Sequence, residues 1–268
     1  MSTLIASIRS IALVVLTAAA AYALLIEPAH IEVTRHAIGA SSSGSPPIQI
    51  VQLSDLHLQS MGRREAAVVR EIASLKPDLL VLSGDVIDDA ENLSVLDSFL
   101  TMLGPGQKVA VLGNWEHWSG VNLADLRSLY SKHGVRLLIN EKVHYRFGAR
   151  DLTVIGLDDF TGGHPDPALI TPPPKGEALV VIQHSPGWFR SPDATAVDAR
   201  ASLCLAGHTH GGQIAIFGIP VWTPWGSGDF VVGRYDLAMC PLCVSRGIGT
   251  SIAPVRFGAR PEIAVFAL

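Results

Sequence analysis

The sequence predicts an α/β fold of stacked β-sheets flanked by helices, preceded by an apolar N-terminal helix. Three observations carry this. Short apolar runs alternate with helix-period segments from Ile48 to Lys132; strand-type runs dominate from Arg136 onward; and Arg9 is the only charge before Glu27. Strands alternating with helices, then strands in succession, imply sheets whose faces are covered by helices and by each other.

Taken in order, Ser10 to Ile26 carries no charge, a run of roughly 17 residues, near the shortest that crosses a bilayer's hydrocarbon core. A buried core helix would show a polar stripe, and this segment has none. It reads as a signal anchor, with a cleavable signal peptide cut near Ala21-Tyr22-Ala23 as the competing reading. Arg9 on its N-terminal flank favours that end inside and the rest of the chain outside. Residues 27–47 read as a linker: Glu27 to Ala40 has some alternating apolar character, and Ser41 to Pro47 cannot bury itself. The main domain is expected over 48–268.

Within it, Ile48 to Leu53 is a short apolar strand, and Arg63 to Leu75 has helical spacing at Ala67, Val68, Ile72 and Leu75. Asp78 to Leu82 is the next strand, Leu93 to Leu103 a helix and Val109 to Leu112 a strand. A helix over Leu123 to Lys132 can be ended by Gly134. Strand patterns follow at Arg136–Ile139, Val143–Phe147, Leu152–Leu157, Ala178–Ile182, Ser202–Ala206 and Glu262–Ala267.

Composition excludes some functions. Charged residues are 16% of the chain and the net charge is −4, so nucleic acid is not expected as a partner, because gripping its backbone needs a basic face. Cys240 and Cys243 stand in CxxC spacing without a second such pair. They read as two ordinary small residues, or as a disulfide with each other if the domain is exported. Cys204 is expected to pack in the core.

The chemistry-bearing residues fall at strand ends: Ser54-Asp55-Leu56-His57, Gly84-Asp85-Val86-Ile87-Asp88, Gly113-Asn114-Trp115-Glu116-His117, Gln183-His184, and Gly207-His208-Thr209-His210-Gly211-Gly212. Ligands of open α/β sheets bind outside the carboxyl ends of strands, so these segments can converge. Asp55 and His57, two apart in an extended segment, point to one side, and so do His208 and His210. Carboxylates, imidazoles and an amide oxygen are the mixed donors that suit Zn, Mn or Fe. Glycine before Asp85, Asn114 and His208 lets backbone and side chain come close to an ion. Each motif alone is weak; all together indicate a binuclear metal site.

The ordered set SDLH, GDVID, GNWE, QH and GHTH resembles the calcineurin-like metallophosphoesterase superfamily. The apolar N-terminus, GHTHGGQI and the tail SRGIGTSIAPVRFGARPEI resemble its membrane-associated bacterial phosphodiesterase branch, which includes relatives that cleave UDP-2,3-diacylglucosamine. The resemblance implies a metallophosphoesterase-type β-sandwich flanked by helices. It implies that Asp55, His57, Asp85 and His210 hold one divalent transition metal, while Asp85, Asn114, His184 and His208 hold a second. Asp88 would orient a ligand histidine. It further implies a bacterial inner-membrane location, for which the Arg9 flank favours the catalytic domain on the periplasmic side.

One position departs from the pattern. Where the family usually carries a histidine that assists the leaving oxygen, this chain has Trp115, which cannot give up a proton at neutral pH. His117 is the candidate substitute, so catalysis is assigned to Asp85, Asn114 and His117. The expected reaction is hydrolysis of a phosphodiester or pyrophosphate bond, in a lipid-linked or nucleotide-sugar substrate, by a hydroxide shared between two cations. The competing reading is a degenerate metal-holding domain that binds phosphorylated lipid or a partner without turnover.

The five tryptophans are Trp115, Trp118, Trp188, Trp222 and Trp225. With Phe189 they read either as an apolar rim around the metals, fit for acyl chains or a membrane interface, or as aromatic filler over the sheets. Arg246, Arg256 and Arg260 are candidates for phosphate contact or plain surface charge.

Overall fold

Two stacked sheets form the centre of the molecule, described by a computed structural model over residues 2–39 and 46–268. The first sheet has six strands: β1 (Glu32–Ala37), β2 (Gln49–Leu53), β3 (Leu79–Ser83), β4 (Gln107–Val111), β5 (Val135–Leu137) and β14 (Glu262–Ala267), in the order β1-β14-β2-β3-β4-β5. The second also has six: β6 (Glu141–Phe147), β7 (Arg150–Gly156), β8 (Ala178–Ile182), β9 (Leu203–Ala206), β12 (Gly233–Asp236) and β13 (Pro241–Val244), in the order β12-β13-β9-β8-β7-β6. A small hairpin, β10 (Ala215–Ile216) and β11 (Ile219–Pro220), stands apart.

The period of two along each strand builds the layers. In β2, β3 and β4, Ile50, Leu79, Val81, Val109 and Val111 face inward, meeting Val154, Val180, Ile182, Leu203 and Leu205 of the second sheet. The alternate residues, Val51, Leu53, Leu80, Leu82 and Ala110, pack outward under helices α2 (Arg63–Leu75), α3 (Leu93–Leu103) and α5 (Leu123–Lys132). On the far face of the second sheet, Leu179, Val181, Cys204 and Ala206 are covered by Trp188, Phe189 and Phe230. Both faces of the central strands are therefore buried, which is why they read as continuous apolar runs.

Helix α1 (Ser2–Ala21) continues into a wider turn over Tyr22–Ile26. Its apolar side chains, among them Ile11, Val14 and Leu16, are largely exposed. The stretch Ile5–Ala29 is long and apolar enough to cross a membrane.

The expected linker over 27–47 needs correction. Its first part is structure: Glu27 is buried and its carboxylate accepts from the Ala259 amide at 2.7 Å. β1 then pairs in parallel with β14 from Glu32 to Ala37. The loop expected over Ser41 to Pro47 lies largely outside the described residues. The cysteine expectation also changes: Cys204 is bonded to Cys240, and Cys243 is free and buried. Cys204 and Cys240 share the outer face of the second sheet, whereas Cys243 points into the inter-sheet core. That alternation keeps Cys243 from either partner.

Candidate metal centre

Parallel pairing of β2 with β3, of β3 with β4, and of β8 with β9 brings the carboxyl ends of these strands to one edge of the sandwich. Beyond those ends the backbone does not stay extended, as the sequence reading expected. Asp55, His57, Asp85, His208 and His210 have φ of 51°, 44°, 52°, 70° and 52°, in the left-handed region that costs about 1 kcal/mol or more for a residue with a Cβ. Hydrogen bonds between the loops hold them there: Asp55 N donates to Gly84 O (3.0 Å), His57 N to Asp85 O (3.1 Å) and Gly207 N to His184 O (3.0 Å). Two glycines permit the close approach. A Cβ on Gly113 would strike the Asp85 carboxylate, and one on Gly207 would strike Ser54 and Asp55.

The side chains gather in two buried groups, Asp55–His57–His210 and Asp85–His184–His208. His208 and His210 thus fall in different groups rather than on one side. Asp85 reaches both: its Oδ2 lies 3.1 Å from His184 Nε2 and 4.0 Å from His57 Nε2. Asn114 joins the second group, with Oδ1 2.8 Å from His208 Nδ1.

The hydrogen bonds at the back of each imidazole decide which nitrogen faces inward. His184 Nδ1 donates to the Ser83 carbonyl at 2.7 Å and His208 Nε2 to the Trp225 carbonyl at 2.7 Å, while His57 Nδ1 is bonded to Asp88. Their remaining nitrogens turn inward, toward the carboxylates, the Asn114 oxygen and one another. His57 Nε2 and His210 Nε2 face each other at 3.1 Å, His208 Nδ1 faces the Asn114 oxygen, and buried His184 Nε2 has no hydrogen-bond partner. Buried carboxylate and imidazole atoms gathered this closely are a donor set that suits divalent cations.

The electrostatics divide the four imidazoles. Burial drives His208 below the usual histidine range, aided by His184, and drives His210 well below it, aided by His57 and Arg256. Burial thus favours the neutral, ligating form of these two imidazoles, whereas His57 is raised, burial being overcome by Asp88 and Asp85, and His184 is raised well above the usual range, burial being overcome by Asp85. Burial works against a charge on Asp85, but His184 and His57 overcome it and hold the carboxyl at about 2.

Glu116, in the third motif, joins two of the loops. Its buried carboxylate accepts from Gly113 N (2.7 Å), Asp85 N (3.0 Å), Val86 N (2.6 Å) and Ile87 N (3.3 Å), clamping the second and third motif loops together. The signal was available in the sequence: a carboxylate two residues after Asn114, at the first turn of helix α4 (Asn114–Trp118). Of the arginines, Arg256 is fully buried, donates to the carbonyls of Gly249 (2.6 Å), Ala259 (2.8 Å) and Arg246 (2.9 Å), and is pushed down to about 9 by burial. Arg246 pairs with Glu262 and Glu32.

The two groups open into a cavity of about 440 Å³, lined by Asp85, Asn114, His208 and His210 and walled by Trp115, Trp118, Trp222, Trp225, Ile214, Ile252 and Val255. Trp188 and Phe189, in contrast, are core filler. His117 is not part of the cavity lining. It bonds Asp158 through Nε2 at 2.8 Å and packs against Gly162.

The geometry is that of a two-cation hydrolytic site, and sequence comparison agrees. The family model for calcineurin-like phosphoesterases matches residues 48–212, which takes in all five motifs. The chain belongs to the calcineurin-like phosphoesterase family. This metallophosphoesterase is similar to YkuE, an uncharacterized metallophosphoesterase of Bacillus subtilis, with 32% identity covering 92% of this chain and 88% of that one. It is similar also to the phosphodiesterase YaeI of Escherichia coli, at 28% identity over 90% of each. A dimetal phosphatase structure from Danio rerio aligns with 83% of this chain and 99% of that one, at a TM-score of 0.48 and 12% identity. The protein is a metal-dependent phosphoesterase with a site for two divalent metals.

Proposed function

We propose that this metallophosphoesterase cleaves a phosphodiester or pyrophosphate bond in a lipid-linked substrate, using two transition-metal ions (Mn, Zn or Fe) at a membrane surface. The observation that carries it is the pairing of a buried Asp/His cluster with a tryptophan-walled apolar mouth. Such walls offer apolar area that an acyl chain can bury.

When bound, the cations supply Lewis acidity and a nucleophile from water at neutral pH. The chain does the rest. Asp55, His57 and His210 would hold one cation and Asn114, His184 and His208 the other, with Asp85 within reach of both groups. Ser83, Asp88 and the Trp225 carbonyl lock the imidazole orientations. The indole walls exclude bulk water from the reacting phosphorus and strengthen every charge contact there.

Trp115 closes over His57 edge-on, at 6.1 Å between ring centroids, and offers no proton. With His117 turned to Asp158, the reading favours leaving groups that depart without a proton, such as a phosphate or an aryl oxide. The Cys204–Cys240 bond supports an oxidising compartment, in line with an anchor at α1 and a catalytic domain outside.

The test combines metal content with substrate choice. Asp85→Asn is expected to lower bound metal from two equivalents and abolish hydrolysis of bis-p-nitrophenyl phosphate. Two tightly held metals with normal turnover in that variant would overturn the site. A diacylated nucleotide-sugar should be cleaved at least about tenfold faster than its deacylated form, given the apolar area available. Equal rates would remove the lipid from the reading and leave the chemistry standing.

A further inference from the structure

Next to the cavity mouth lies a surface that neither folding nor the metal chemistry accounts for. The tip of the β10–β11 hairpin is Phe217-Gly218, with the Phe217 side chain fully exposed (101%) at φ 53°. Ile252, on the facing loop, is 86% exposed at φ 65°. A bulky and a β-branched residue in the left-handed region are strained, and here the strain is not offset by packing. Glycine or asparagine would suit both positions better if water were all they met. Ile216, Ile219, Val221 and Trp222 extend the exposed apolar surface. No charged residue occurs from Gly211 to Gly228 or from Gly247 to Val255.

This surface is built rather than loose. The Gln213 side chain donates to the carbonyls of Ser251 (3.1 Å) and Ala253 (3.0 Å) and accepts from Ser251 N (2.9 Å), fastening the two loops together. It is also continuous with the N-terminal helix. Phe257 bonds Gln213 O (3.0 Å) and Ala215 N (2.7 Å) on one side. On the other, its ring meets Tyr22 edge-on at 6.3 Å, and the adjacent Arg256 N donates to Ala23 O at 3.0 Å. The apolar helix therefore leaves the domain beside the hairpin.

We propose that the hairpin tip, with Ile252 and the rim residues Trp222 and Trp225, inserts into the interfacial layer of the same bilayer that holds α1, so that the cavity opens onto the membrane. This rests on the membrane reading of α1 given above. A lipid surface is the occupant the observations favour. Tryptophan and uncharged loops suit the headgroup boundary, whereas a protein interface of this kind would be rimmed by polar and charged side chains. The connection to α1 sets the patch at the level where that helix enters the bilayer.

The experiment uses the full-length protein reconstituted in phosphatidylcholine vesicles, with and without brominated acyl chains that quench tryptophan on contact. Wild type should be quenched through Trp222 and Trp225, while buried Trp188 supplies the unquenched background. The variant Phe217→Asp/Ile219→Asp, whose positions do not line the cavity, should lose that quenching. It should keep its kcat/KM on soluble bis-p-nitrophenyl phosphate, and its thermal midpoint should hold, since aspartate accepts positive φ more readily than phenylalanine. Absence of quenching in wild type, or equal quenching in the variant, would overturn the proposal, as would a two-chain particle in which the patch is covered by a second copy. Loss of nitrophenyl hydrolysis in wild type would sink the catalytic reading alone, because quenching reports docking without turnover.

Discussion

Replacing Glu116 by glutamine probes the clamp behind the metal site without changing its shape. Oε1, which accepts from Val86 and Ile87, can be kept as the amide oxygen, but an NH₂ must then face the amides of Asp85 and Gly113. Two buried hydrogen bonds to a charged acceptor are lost, at about 1.5–3 kcal/mol each. Part of this is recovered. Burial, and then the Asp85 charge, push the Glu116 carboxyl above its usual range, so a neutral side chain avoids a desolvation cost. The net expectation is a loss of about 2–4 kcal/mol in unfolding free energy. Because the Asp85 amide is one of the groups released, metal affinity should fall by about 10–100-fold, as when outer partners of ligands are removed. Urea denaturation of the metal-free protein measures the first, and competition with a chelating dye the second. A Glu116→Gln protein with unchanged stability and unchanged metal affinity would refute the clamp. Lost stability with normal affinity would confine Glu116 to folding.

Three further outcomes are expected. His117→Ala should slow nitrophenyl and alkyl phosphodiesters by the same modest factor; a selective loss of about 10²-fold on the alkyl substrate would restore His117 as the proton donor. The Asp158 hydrogen bond raises the His117 pKa, against burial, and the Asp158 carboxyl is lowered, burial being overcome by His117; a raised histidine stabilises fully below its unfolded value and loses this as pH rises through its folded one. The stability gap between wild type and His117→Ala, about 1 kcal/mol for a partly exposed pair, should therefore be present near pH 6 and close in mildly alkaline buffer, and a gap that widens there would contradict the pairing. Reducing Cys204–Cys240, which closes a separation of 36 residues, should cost about 3–4 kcal/mol in reversible unfolding, and no shift on reduction would mean the cysteines are not bonded in solution.

Much of this molecule was legible before any coordinates. Helices at Arg63–Leu75, Leu93–Leu103 and Leu123–Lys132 coincide with the observed bounds, because an amphipathic period against a buried sheet leaves little freedom. The residues that gather in the two buried groups were legible for a different reason: acids and imidazoles directly after apolar strands have no packing role. What stayed hidden depends on contacts distant in sequence. β1, a sheet edge, carries Glu32, Thr34, Arg35 and His36 and so lacks an apolar run. Cysteine pairing depends on which face of the second sheet each thiol occupies. The left-handed backbone at Asp55 or His210 leaves no mark in residue type, since neither is a glycine, and the site's curvature could not be read from spacing. His117 looked like a proton donor by proximity in sequence, but one turn of α4 points it at Asp158 instead.

The parallel pairing of β1 with β14 has a mechanical consequence. A catalytic head on a floppy leash would tumble through a hemisphere above the lipid and meet its target in random attitudes. Here the segment leaving α1 is stitched into the edge of the main sheet, and Glu27 pins its start to Ala259. The mount is stiff, so that on the membrane reading proposed above the domain would keep one attitude over the lipid and search for substrate by lateral diffusion. For the same reason a soluble form cannot begin at Pro47. Cutting there removes β1 and bares the backbone of β14, an invitation to sticky edge-to-edge association, whereas a chain begun at Glu27 sheds the greasy helix and leaves the sheet hemmed.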